Sequence, residues 1–172
     1  MMLTANNLKM DVRAGTIADV PVLLSFIRAM AAFEKLEVSA TEESLKTALF
    51  GENPAARVIL VFVKDQPIAY VTYFFTFASM TGKRGLWLDD LYVDPAFRKK
   101  GVGQTLMAYL AGIARQNHCG RFEWMVLEWN TSAIRFYERL GASILPDWRI
   151  CRLDEAQLAH LAEKQAWAND GG

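Results

Sequence analysis

Apolar positions recur along the chain at two spacings, and the change from one to the other marks out the elements. Leu23, Leu24, Ile27 and Met30-Ala31 fall at helical spacing, which predicts a helix from residue 16 to about residue 33, with Thr16 as N-cap and Asp19 three residues on. Thr41 opens a second helix carrying Leu45, Ala48 and Leu49 on one face, ended by residues 51–54. Three runs rich in β-branched and aromatic residues follow: 57–63, 68–77 and 86–93. Short turns at Asp65-Gln66-Pro67 and Gly82-Lys83 join them, which predicts an antiparallel meander. Val102, Leu106, Leu110 and Ile113 then return to helical spacing over residues 101–116, and residues 122–128 read as a strand. Strand, helix, strand favours parallel pairing through a crossover.

The ends are weaker in pattern. Residues 1–9 read as a loose lead-in and 10–13 as a short edge strand. A helix is expected over residues 130–140, with Asn130 as N-cap and Gly141 as its stop. Two short strands are expected at 143–145 and 148–153. Asp154 caps a last helix with Leu158 and Leu161 on one face, and residues 168–172 read as a disordered tail. The order β-α-α-β-β-β-α-β-α-β indicates an α/β fold around one mixed sheet, a single domain over residues 1–172 with its core at about 9–165.

Composition narrows the function. The 172 residues hold 19 Lys plus Arg against 19 Asp plus Glu, a formal net charge of zero. A general nucleic-acid or membrane-surface binder would be strongly basic, so neither partner is expected. Cys119 and Cys151 show no Cys-x-x-Cys spacing, and His118 and His160 share no motif with them. No metal site is therefore expected, and a reducing cytoplasm is the default location. Lys9, Asp11 and Arg13 interrupt any N-terminal apolar run, and no stretch is long enough to span a bilayer.

The chemistry concentrates after the third strand of the meander. Residues 86–93 are apolar except for Asp89 and Asp90; Asp94-Pro95 breaks the strand; then Arg98, Lys99, Lys100, Gly101, Val102, Gly103 and Gln104 lead into a helix. A helix N-terminus offers free backbone N–H groups and a favourable dipole for an anion. Gly101 and Gly103 allow close approach of the backbone. A P-loop would carry its Lys after the second Gly, whereas these lysines precede the glycines. A dinucleotide fingerprint would need a third Gly where Leu106 stands. What remains is Arg-x-x-Gly-x-Gly.

A second constellation lies on the predicted helix at 130–140. Asn130 and Tyr137 are seven residues apart, close to two turns, and share a face. A phenol can protonate a leaving group, and an Asn amide can grip an amide-rich ligand. Coenzyme A has a pantetheine arm with two amides and a thiol that leaves.

The Arg98–Gly103 loop resembles the coenzyme A loop of the GCN5-related N-acetyltransferases (GNAT), and the resemblance extends over nearly the whole chain to the diamine (spermidine/spermine) acetyltransferase branch. It is carried by Phe33-Glu34, Tyr73-Phe74-Phe75-Thr76, Leu88 through Val93, Glu128-Trp129-Asn130, Phe136-Tyr137, Gly141-Ala142 and Trp148-Arg149. The resemblance implies acetyl-CoA as co-substrate, with the acetyl carbonyl against backbone N–H groups at Leu91, Tyr92 and Val93, where the family's strand carries a bulge. It places the pyrophosphate on Arg98 to Gln104, the pantetheine arm on Asn130 and the proton for the departing thiolate on Tyr137. Asp89 is the implied proton route for the amine. The branch usually has Glu there, one methylene longer, so a water relay is favoured. Glu34, Glu37, Asp89, Asp90, Glu128 and Trp148 are the candidate amine-side residues. The implied enzyme is a cytoplasmic homodimer acting on a small primary amine, a polyamine by branch, by direct transfer in a ternary complex. Two alternatives stand beside it: an acetyltransferase of thialysine or another amino-acid-like amine, and a non-catalytic acyl-CoA-binding regulatory module.

Overall fold

A computed structural model describes residues 1–163. The strands are β1 (Met2–Ala5), β2 (Leu8–Ala14), β3 (Arg57–Val63), β4 (Gln66–Ala78), β5 (Lys83–Val93) and β6 (Arg121–Trp124). The helices are α1 (Val20–Glu34), α2 (Glu42–Phe50), α3 (Val102–Gln116), α4 (Thr131–Arg139) and α5 (Glu155–Glu163), with 3-10 turns at Ile17–Asp19 and Pro95–Phe97. The strands form one sheet in chain order. Every neighbouring pair is antiparallel except β5 and β6, which the α3 crossover makes parallel. The sheet and the first three helices form a compact unit, Met1–Trp129; α4 and α5 lie in a second, Asn130–Gly172.

Alternation along the strands sets the core of the first unit. Val58, Leu60, Tyr70 and Tyr92 cluster with Leu23 and Phe26 of α1, while Ile59, Val61 and Val71 between them are buried as well. Both faces of the central strands are thus covered, α1 packing on β4, and α3 on β1, β5 and β6. Buried apolar side chains dominate this region, which is where burial stabilises most, roughly 1.5–3 kcal/mol for each large apolar side chain.

Local signals produce most of the predicted boundaries. Thr41 caps α2, its Oγ1 accepting from the Ser44 N–H, and Asp154 caps α5 by accepting from the Gln157 N–H. Four expectations are corrected. The lead-in at 1–9 is instead β1 and the start of β2, joined by Asn6 and Asn7, both at positive φ. Asn tolerates that conformation, and a two-residue turn of this kind suits a hairpin. The expected strand at 122–128 is only Arg121–Trp124, because its ladder with β5 ends at Leu88↔Trp124. No strand forms at 143–145 or 148–153; strand propensity needs a partner ladder to be realised, and none pairs with them. The tail expected at 168–172 lies outside the described residues.

The junction from β2 to α1 is held by charge. Arg13 donates two hydrogen bonds of 2.7 Å to Asp19, and the N–H and hydroxyl of Thr16 each donate to Asp19 Oδ2 at 2.8 Å. The Arg13 guanidinium holds the Asp19 carboxyl well below the usual carboxylate range. A depressed folded-state pKa stabilises the fold above the unfolded value, near ~4, and the contribution fades as pH falls below it. Asp19→Asn is therefore expected to lower the unfolding free energy by about 1.5 kcal/mol at pH 7, a gap that narrows in urea titrations below pH ~4.

Candidate active site

Strand β5 is the axis of the candidate site, and its pairing is irregular beside the candidate acids Asp89 and Asp90. Tyr73 of β4 pairs with Leu88 and Thr72 with Asp90, so Asp89 has no opposite position and forms a β-bulge. The expected bulge position, at residues 91–93, is thus corrected by the register: the irregularity comes earlier, at Asp89. Beyond Leu88, β5 also loses its ladder with β6. Residues 89–93 are paired to β4 alone, which leaves one edge of backbone without a strand partner. An extended, amide-bearing ligand arm can pair with such an edge.

At the end of β5 the chain turns sharply into α3. Asp94 caps the 3-10 turn, accepting from the Ala96 N–H at 2.8 Å. Lys99 and Gly101 both have positive φ, 60° and 82°. Gly101 is the N-cap of α3, and a Cβ there would stand 3.1 Å from Asn6 Nδ2 of the first hairpin. The Thr105 N–H bonds the Gly101 carbonyl, so the N–H groups of Val102, Gly103 and Gln104 are those a helix cannot pair within itself. Lys99, Lys100 and Gln104 are exposed beside them. Three unpaired donors, a glycine approach and flanking cations suit a pyrophosphate. Arg98 behaves differently from the rest of the loop. Its Nε donates to the Val93 carbonyl at 2.9 Å, and its guanidinium lies over the Phe33 and Tyr92 rings at 5.3 and 5.7 Å. It ties the end of α1 to the end of β5, and Trp129 packs on the other ring neighbour, Phe33, at 5.7 Å.

The candidate acids separate. Asp89, on the bulge, is exposed. Asp90 is half-buried on the face covered by α1, where Thr72 Oγ1 donates to its Oδ2 at 3.1 Å and the Tyr70 hydroxyl lies close enough to favour its charged form. Burial, then the neighbouring Asp89 charge, pushes the Asp90 carboxyl up, while Thr72 and Tyr70 pull it down. Glu34, at the end of α1, is within electrostatic reach of both Asp90 and Tyr70, and its own carboxyl is raised by burial. These three acids form one cluster; Glu37 and Glu128 are exposed and take no part in it. Tyr70 and Thr72 were not among the expected site residues. The available signal was a threonine inside an otherwise apolar strand, Ala69-Tyr70-Val71-Thr72-Tyr73.

In the second unit, Asn130 caps α4. Its Oδ1 accepts from the Ala133 N–H at 3.2 Å and the Ser132 hydroxyl at 3.1 Å, so the NH2 end of the amide is the one available to a ligand. Tyr137 is half-buried two turns on, its ring 5.2 Å from that of Phe136. Trp148 is 76% exposed. Among the described residues no group of His, Cys, Asp and Glu has the arrangement of a metal site, and no helix is long and apolar enough to cross a membrane.

Comparison with known proteins matches residues 26–142 to the acetyltransferase (GNAT) family. A thialysine N-epsilon-acetyltransferase of Sus scrofa is 31% identical, with 89% of this chain and 97% of the relative covered. An L-ornithine N5-acetyltransferase of Arabidopsis thaliana is 28% identical over 87% of this chain and 86% of its own. Among solved structures, an integron cassette protein from the mobile metagenome of V. cholerae superposes with a TM-score of 0.75 at 25% identity, covering 90% of this chain and 98% of that one.

Proposed function

Because the chain belongs to the acetyltransferase (GNAT) family, we propose that it moves an acetyl group from acetyl-CoA to a terminal primary amine of a small cationic molecule. The observation that carries the amine is the cluster of Glu34, Asp89 and Asp90 beside the unpaired edge of β5, in a chain of zero formal net charge. An alkyl ammonium has a pKa near ~10.4, so freeing its lone pair at pH 7 costs roughly 4.6 kcal/mol. Carboxylates attract the ammonium and offer its proton a route out.

Acetyl-CoA supplies the activated acetyl group. The N–H groups opening α3, with Lys99, Lys100, Gly101, Val102, Gly103 and Gln104, receive its phosphates, Arg98 securing the turn. Backbone N–H groups at Leu91, Tyr92 and Val93 receive the acetyl carbonyl. Of the second unit's residues, Asn130 holds the pantetheine arm and Tyr137 protonates the departing thiolate. Asp89, reaching solvent on the bulge, connects the amine site to bulk water. Transfer is direct, within a ternary complex, and the working form is a homodimer in the cytoplasm. The whole chain acts as one N-acetyltransferase domain.

For the amine we propose a polyamine, since acids alone make up the cluster. A specific observation favours a second reading: the relatives named above act on thialysine and ornithine, amino acids with a terminal amine. Thiol release with spermidine, a short diamine, thialysine and ornithine separates them. For a polyamine, Glu34→Gln is expected to reduce kcat/KM for spermidine by about 1.5–3 kcal/mol, the scale of a charged hydrogen bond. Glu128→Gln, exposed, should cost under ~1 kcal/mol. Turnover of thialysine or ornithine alone decides for the amino-acid reading, and coenzyme A binding without turnover of any amine for a regulatory module.

A further inference from the structure

The two acids at the bulge are not equivalent. Regular pairing resumes after the bulge, so Asp90, two residues before Tyr92, shares its face and stands opposite Thr72, with Tyr70 opposite Tyr92. α1 packs on that face: Phe26 stacks on Tyr70 at 5.9 Å and is tilted against Tyr92 at 5.3 Å, and the Tyr70 hydroxyl donates to Met30 Sδ at 3.7 Å. Thr72 is a polar side chain enclosed by the core, 4% exposed. Its hydroxyl donates to Asp90 Oδ2 and accepts from the Asp90 backbone N–H, both at 3.1 Å. One hydrogen and two lone pairs allow both bonds at once, so Thr72 fixes carboxylate and backbone together. Tyr70 is fully buried, and burial first, then the Asp90 charge, keeps its phenol protonated. The protonated phenol beside Asp90 favours the carboxylate form of that acid.

The groups facing Asp90 are Asp89 from β5, Tyr70 and Thr72 from β4, and Glu34 from α1. Two acids disfavour a second negative charge, and two hydroxyls support it. A carboxyl in that balance is better matched to take a proton from an ammonium than a solvated one.

Resting on the acetyl-transfer reading, we propose that Asp90 is the first acceptor of the substrate's ammonium proton and that Thr72, with Tyr70, is its positioning residue. The ammonium N–H bond breaks, its electron pair stays on nitrogen as the nucleophile, and the proton forms an O–H bond on the Asp90 carboxylate. The proton then leaves to water, with the exposed Asp89 as its exit, and the carboxylate is restored. Thr72 touches neither amine nor cofactor in this scheme; it acts through Asp90.

The test is the pH profile of kcat/KM between pH 5.5 and 9.5 for the wild type, Thr72→Val, Thr72→Ser, Tyr70→Phe and Asp90→Asn, using the best amine the wild type accepts. Removing a donor destabilises the carboxylate and raises its pKa. Thr72→Val should therefore move the acid limb up by about half a pH unit or more, lowering activity by about 3-fold on the steep part of that limb, wherever it falls. Its high-pH plateau should stay within about 2-fold of wild type. Thr72→Ser keeps the hydroxyl and should keep the wild-type limb, whereas Tyr70→Phe should shift it in the same direction as Val. Asp90→Asn should lower kcat by about 10²-fold at every pH. Unmoved limbs in folded Thr72→Val and Tyr70→Phe, or an Asp90→Asn enzyme retaining more than about a third of kcat, overturn the assignment. If Thr72→Val does not fold, Tyr70→Phe and Asp90→Asn decide alone. A wild type that acetylates no amine overturns the acetyl-transfer reading and this one with it; an active wild type with unmoved limbs overturns this one only.

Discussion

Tyr137→Phe is expected to lower kcat by roughly 10²-fold or more while leaving acetyl-CoA affinity within about 2-fold, the range of a lost general acid. The substitution deletes one hydroxyl. The ring contact with Phe136, at 5.2 Å, and the half-buried position on α4 are kept. The α4 cap at Asn130 lies two turns away and is untouched, so the helix should form as before. The loss should therefore appear in kcat and not in binding, because a proton donor to the thiolate acts only as the carbon–sulfur bond breaks. Steady-state kinetics by thiol release, with acetyl-CoA affinity measured separately by titration, reads both quantities. A kcat near wild type would mean that the thiolate departs unassisted or that another acid serves, and would remove Tyr137 from the chemistry.

Coenzyme A should raise the melting temperature of the wild type by about 5–10 °C at a hundredfold excess over its Kd. That is ~2.7 kcal/mol by linkage, at roughly 2–4 °C per kcal/mol for a chain of this size. Gly103→Glu is expected to abolish the shift. Gly103 sits in the first turn of α3, next to the N-cap Gly101 at φ 82°. A carboxylate there is compatible with the helix dipole, so the apo variant should fold with a Tm close to wild type. What it loses is the place for a second anion: the same N–H groups then face a negative side chain, and the incoming phosphate meets like charge. Thermal melts of both proteins with and without the ligand separate binding from stability. A wild-type-sized shift in the folded variant would take the α3 turn out of the cofactor site, whatever the fate of Tyr137.

Hydrophobic period and punctuation made much of this protein legible without coordinates. The stripe Leu23, Leu24, Ile27, Met30-Ala31 became α1, and the apolar run at 57–63 became β3. The two helices flagged by Thr41 and Asn130 begin one residue after those caps. These signals are local: capping atoms and amphipathic faces lie within one or two turns of each other. The turn proposed to hold phosphate was legible as a motif for the same reason, since its glycines, lysines and following helix are contiguous. Family membership, too, rests on contiguous motifs and agrees with the match over residues 26–142. The errors were also systematic. Residues 143–145 and 148–153 have strand-like composition but no ladder, and the N-terminal hairpin was missed because β1 holds only four residues with little apolar alternation.

The roles of Asp89 and Asp90 show where local reading stops. Strict alternation puts one acid on each face of the strand, but does not say which face α1 covers or whether the alternation survives. The bulge at Asp89 breaks it: Asp89 is exposed and has no opposite position, and regular pairing resumes at Asp90, which faces Thr72 and lies near Tyr70 and Glu34. Thr72 and Asp90 are 18 residues apart, and only the register of β4 on β5 brings hydroxyl to carboxylate. The chain by itself determined most of its helices, the meander, the strand–turn–helix around Gly101 and its family, because those are written in neighbouring residues. The environment of each acid was decided by strand pairing and burial, because a carboxyl's proton affinity depends on what surrounds it in space and not on what precedes it in sequence.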